Sequence, residues 1–73
     1  MKSLTLQITS LSDRENVVSE IWFGNDQVAE ISSEDGQTIQ IEIFPAPDVG
    51  TWSFDLGAFQ EILAEAKNNL QNV

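Results

Sequence analysis

Along residues 4–10, LTLQITS, apolar and polar side chains alternate: Leu4, Leu6 and Ile8 share one face, and Thr5, Gln7 and Thr9 share the other. A period of two is that of a strand with one buried face, so the chain is predicted to open with a strand. The polar run SDREN (12–16) interrupts the pattern, and a second strand is expected from Val17 to Phe23, ending at the turn Gly24-Asn25-Asp26. A third, VAEIS (28–32), leads into the turn-forming SEDGQ. A fourth, TIQIEIF (38–44), carries Ile39, Ile41 and Ile43 on one face, and Pro45, which has no ladder donor, ends it.

Residues directly opposite in an antiparallel pair share a face, and this restricts the turns. A two-residue Asp35-Gly36 turn would set Ile31 opposite Gln40, mixing an apolar row with a polar one. A three-residue loop, Glu34-Asp35-Gly36 with Gly36 left-handed, sets Ile31 opposite Ile39 and Ala29 opposite Ile41. The same reasoning at 24–26 sets Phe23 opposite Gln27 and Ile21 opposite Ala29. A helix is predicted to begin after Asp55, whose carboxylate caps the free amides of the first turn, with Phe54 and Phe59 placed for a hydrophobic staple. Leu56, Phe59, Leu63, Ala66 and Leu70 make its apolar stripe, widened by Ile62, with Gln60, Glu61, Glu65 and Lys67 opposite. Asn68 and Asn69 mark where it should fray.

The expected fold is therefore α+β: one domain over residues 1–73, a four-stranded antiparallel meander sheet with one C-terminal helix packed on one face (ββββα). Its expected core comprises Leu6, Ile21, Ile31, Ile39, Ile41, Ile43, Phe59 and Leu63. One helix leaves the other sheet face bare. That face takes Thr5, Gln7, Thr9, Val18, Glu20, Trp22, Val28, Glu30, Gln40, Glu42 and Phe44. The register puts Trp22, Val28 and Glu42 in one row and Glu20, Glu30 and Gln40 in the next, where directly opposed carboxylates cost roughly 0.2–1 kcal/mol. Glu20, Trp22, Val28, Glu30, Gln40, Glu42 and Phe44 are thus candidate protein-binding residues, with Trp22 as anchor and the three glutamates meeting Lys or Arg. Three readings of this face stay open: plain solvated surface, where Glu and a single aromatic are ordinary, a contact with a second copy, and a dock for a basic partner. Carboxylates facing each other across a dimer count against the second.

Twelve Asp and Glu stand against three Lys and Arg, with no His and no Cys, for a net charge of −9 over 73 residues. Such a charge opposes nucleic acid and anionic lipid and attracts basic protein surfaces. Without His or Cys there is no Ser-His or Cys-His pair, thiolate, imidazole metal site or disulfide. SEDG (33–36) precedes a glycine as calcium loops do, but the spacing of an EF-hand fails, and Gly24, Gly36, Gly50 and Gly57 form no phosphate-binding series. Glu30 with Glu20 or Glu42 could meet the ~5–10 Å separation of a glycosidase pair, yet a small sheet with one helix offers no deep cleft to raise one pKa. No enzymatic activity, cofactor or metal is expected. A chain this short buries only about 60% of its unfolded surface, so self-association would stabilise it. The opening MKSLTLQITSL lacks the apolar run of a signal peptide, and no run reaches the ~18 residues of a membrane span, so a cytoplasmic protein without membrane or nucleic-acid partners is expected. In PAPDVGTW (45–52), Trp52 and Val49 are expected to pack over an open edge of the core.

The stretches ENVVSEIWF, VAEISSEDG, IQIEIFP and FDLGAFQEILAEAKNNL, together spanning most of residues 15–70, resemble a recurrent pattern in short, uncharacterised acidic bacterial proteins. The shared features are an acidic strand ending in aromatics (Glu20 to Phe23), a hairpin from Ala29 to Gly36, a strand from Ile41 to Pro45, and a helix cap from Phe54 to Leu56. The resemblance implies a bacterial origin and a strand-rich α+β fold, with no activity to carry over. Small acidic proteins of this type also look like toxin-immunity proteins and phage-encoded inhibitors, which mask basic nucleases; that likeness is one of size and charge. The expected function is a non-enzymatic protein-binding domain, an acidic inhibitor or immunity protein masking a basic partner such as a nuclease, with DNA mimicry as a special case. The alternative is a structural, dimer-forming domain.

Overall fold

The computed structural model describes residues 2–11, 15–48 and 50–71. Four strands, β1 (Leu4–Thr9), β2 (Val18–Phe23), β3 (Asp26–Ser32) and β4 (Gln40–Ile43), pair antiparallel in the order β1-β2-β3-β4, and one helix, α1 (Leu56–Gln71), follows. This is the ββββα meander that the alternation predicts. Of the turn expected over 12–16, positions 12–14 lie outside the described residues, as does Val49. The helix does not stop at Asn68 and Asn69; it continues to Gln71, and Leu70 in its last turn still packs against the core.

The β2-β3 hairpin departs from the expected three-residue loop in an instructive way. Phe23 pairs with Asp26, not Gln27, so only Gly24 and Asn25 form the loop. Gly24 has φ +63°, and no non-glycine residue among those described has positive φ, which fits a type II′ turn with Gly at its first central position. Continued without interruption, that register would set Ile21 opposite Val28 and mix the two faces. A bulge opposite Ile21 and Trp22 absorbs Val28 as an extra residue, and Ile21 then lies opposite Ala29, as expected. The bulge also corrects the expected place of Val28: instead of joining the bare face beside Trp22, it packs into the core with 1% exposure.

The β3-β4 pairing is offset by two residues from the expected one: Ile31 pairs with Ile41, Ala29 with Ile43, and Glu30 with Glu42. An even shift preserves the faces, so apolar still meets apolar. Ile39 falls outside β4, and the connection is longer than three residues. Gln37 N donates to Glu34 O at 3.1 Å, and Gly36, with φ +78°, occupies the third position of this turn, where type II requires a positive φ. The Glu34 carboxylate accepts from the backbone amides of Glu15 and Asn16, both at 3.2 Å, and Asn16 Nδ2 donates to Ser33 O at 2.6 Å. These bonds tie the segment entering β2 to the segment leaving β3.

Asp55 caps α1, its Oδ2 accepting from Ala58 N at 2.9 Å, and the Phe54 and Phe59 rings stack at 5.4 Å as the staple requires. The helix packs over β1, β2 and the near side of β3 and stops short of β4. Small residues let it come close: Ser19 Oγ donates to Ala66 O at 3.0 Å, with both residues fully buried. A helix ~10–12 Å wide spans only about two strand spacings of ~4.8 Å, so the far strand is left uncovered. Ile41 and Ile43, expected in the core, are consequently 46% and 59% exposed, and Leu56 is 70% exposed. The core is Ile21, Val28, Ala29, Ile31, Ile62 and Ala66, with Leu6, Phe23, Phe59 and Leu63 half-buried around it.

Candidate functional site

On the sheet face turned away from α1, the pairing aligns Gln7, Glu20, Glu30 and Glu42 in one row. The neighbouring rows are Thr5, Trp22, Gln27 and Thr9, Val18, Ser32, Gln40. The two-residue slide of β4 thus moves Glu42 from beside Trp22 into line with Glu20 and Glu30, and moves Gln40 out of that line. Three glutamates lie side by side across three strands, but they are not equally accessible. Glu20 and Glu30 expose only 9%, and Val18 and Ser32 in the neighbouring row 0% and 6%, so this part of the face is not bare as expected, whereas Glu42 is exposed. Glu20 Oε1 accepts from Thr9 Oγ1 at 3.0 Å and from Trp22 Nε1 at 3.3 Å. Trp22 is therefore half-buried and its indole N–H is engaged in holding Glu20, which differs from the free-standing anchor the sequence suggests. Among the described residues no group of three or more acidic side chains is arranged to hold a metal ion.

Gln40 is exposed, and its amide donates to Thr38 Oγ1 at 2.7 Å. Phe44, just beyond β4, is half-buried and serves through its backbone: its N–H donates to Val28 O at 2.9 Å, and its carbonyl accepts from Trp52 Nε1 at 2.6 Å. The first of these bonds sets the phase of the ladder. Like the Phe44 amide, the amides and carbonyls of Gln40 and Glu42 turn toward β3, so those of Ile41 and Ile43 point outward from the sheet. β4 is the last strand in the order, and among the described residues none pairs with its outer side.

On the helix side of β4 lies an apolar groove of about 280 Å³, lined by Val28, Ile43, Trp52, Phe54, Leu56 and Phe59. It exists because the chain after β4 swings back toward the start of α1. Trp52, held by its bond to Phe44, stacks on Phe54 at 5.5 Å, and both rings pack T-shaped against Phe23. Trp52 covers an edge of the core, as expected, but the groove itself was not anticipated. A signal for it is present: Ile39, Ile41 and Ile43 add a fourth apolar row that a single helical stripe is too narrow to cover. No known family model matches the chain, and comparison with curated proteins and with solved structures finds no match either. No helix among the described residues is long and apolar enough to cross a membrane.

Proposed function

We propose that this protein is a non-enzymatic, cytoplasmic binding domain that masks a basic surface of another protein, in the manner of an acidic inhibitor or immunity protein acting on a partner such as a nuclease. The observation that carries this reading is charge the fold has no means to neutralise. Three cations cannot balance twelve carboxylates, and Lys2 is engaged with Asp26 at 3.6 Å. Glu15, Asp35, Glu42, Asp48, Asp55, Glu61 and Glu65 are all exposed. A field of this sign steers cationic surfaces toward the protein and repels further copies of itself.

Titration calorimetry with basic nucleases and with acidic control proteins, at ~0.05 M and ~0.5 M salt, tests the reading. Complexes are expected with basic proteins, weakening as salt rises and weakened further by Glu42→Lys. An affinity unmoved by salt, or a preference for the acidic controls, would overturn it.

A further inference from the structure

We infer that the outer edge of β4 takes up an extended segment of the partner as a fifth strand, and that this segment alternates apolar with basic residues. The inference rests on the reading above, that the partner is basic, and adds where and in what form it binds. Three observations converge on β4. The amides and carbonyls of Ile41 and Ile43 point away from β3, which is the arrangement an added strand pairs with. The other sheet edge, β1, lies under α1 with Leu4 and Leu6 half-buried, whereas no helix or strand among the described residues packs over β4. Strands left at an edge are ordinarily blunted by brevity, charge, Pro or a bulge; β4 is short and carries Glu42, but Gln40–Ile43 has no Lys, Pro or bulge to repel a basic strand or interrupt its pairing.

The two faces of β4 then specify the occupant. Side chains of an added strand alternate between faces. Those on the helix side meet the exposed Ile41 and Ile43 and the groove rim formed by Trp52, Leu56 and Phe59, which favours apolar residues. Those on the other side continue the row Glu20, Glu30, Glu42 and meet the exposed Glu42, which favours Lys or Arg. A second copy of this chain fits the apolar side but not the acidic one. Paired edge to edge, it would bring a second Glu42 and a further charge of −9 to the same sheet.

The probes are short synthetic peptides. One alternates Lys and Val (Lys-Val-Lys-Val-Lys-Val-Lys), one has the same composition in blocks, and two repeat the alternating sequence with N-methyl groups on either the Val or the Lys nitrogens. Binding to the full chain is followed by titration, and the Ile41 and Ile43 amides by NMR shift and hydrogen exchange. The alternating peptide is expected to bind at least about tenfold more tightly than the block peptide, and to shift and protect both amides. N-methylation of the Val nitrogens abolishes binding if the strand adds antiparallel, and of the Lys nitrogens if it adds parallel. Ile43→Asp, at an exposed position that leaves the core intact, is expected to weaken the alternating peptide about tenfold.

Equal binding of alternating and block peptides, or tolerance of both methylated forms, overturns strand addition while leaving the basic-partner reading standing. A folded basic protein that binds in a salt-dependent way while no lysine peptide does so would have the same meaning. Ile41 and Ile43 amides already protected without peptide, in a chain that sediments as a dimer, would give the edge to a second copy and overturn the inference. Failure of every basic probe, folded or peptide, removes both.

Discussion

Val28 shows how much a single backbone irregularity decides. Its parity in the sequence matches Glu30 and Ser32 on the face turned away from α1, yet the bulge turns it into the core at 1% exposure. Val28→Ala should therefore destabilise by about 1.5–3 kcal/mol, from two buried methyl groups at ~0.8 kcal/mol each plus the cavity they leave. Urea unfolding checks this, and a cost near zero would mean that Val28 is not part of the core under α1. Ser19 is the converse case, a polar residue on the buried face, tolerated because its hydroxyl donates to Ala66 O. Ser19→Ala should cost about 0.5–1.5 kcal/mol in the same measurement, since Ala66 O loses one partner and the helix approach is otherwise unchanged. Trp22 and Glu20 hold one another, so Trp22→Ala should uncover Glu20 as well as remove an aromatic surface.

Among the elements, β4 is the one whose stability and binding roles separate. Because α1 does not reach it, Ile41→Ala and Ile43→Ala should each cost less than about 1 kcal/mol, against ~2–5 kcal/mol for Ile21→Ala or Ile31→Ala in the covered strands. Denaturant midpoints of the four variants test the offset of the helix directly; equal losses would place α1 over β4. The turns differ from each other too. Gly24 and Gly36 both have positive φ, but a Cβ on Gly24 would lie 3.0 Å from Lys2 Cγ, whereas among the described residues nothing lies within 4 Å of one on Gly36. Both substitutions to Ala carry the left-handed penalty of roughly 1–2 kcal/mol. Gly24→Ala should be the worse of the two, by an amount set by how easily the flexible Lys2 side chain moves aside.

For the whole molecule, charge governs folding and binding in opposite senses. A net −9 on so small a body is self-repulsive when folded, so screening should stabilise it: Tm is expected to rise as salt is raised from ~0.01 M to ~0.2 M, where the Debye length falls from ~30 Å to below 10 Å. A calorimetric scan in which Tm is flat or falls would mean that the carboxylates are compensated in the fold. The same addition of salt weakens a complex with a basic partner. Stability and affinity moving apart in one titration would identify the acidic surface as a binding feature and not a folding one.

What was legible in the sequence was whatever neighbouring residues determine among themselves. Alternation over Leu4 to Thr9 and Gln40 to Ile43 announces strands, because successive side chains on an extended chain must face opposite ways. Asp55, Phe54 and Phe59 announce the helix start, because cap and staple are contacts within one turn. Gly36 announces a left-handed turn because other residues adopt that conformation at a cost. Parity could not choose among registers differing by two, since an even slide leaves every face unchanged; the row of Glu20, Glu30 and Glu42 therefore depended on the tertiary pairing. Nor could it distinguish a three-residue loop from a two-residue loop followed by a bulge, since both set Ile21 opposite Ala29, yet only the second buries Val28. Which strands one helix covers was likewise decided in three dimensions, where Ser19 and Ala66 permit close approach over β2 and the width of α1 leaves Ile41 and Ile43 in the open.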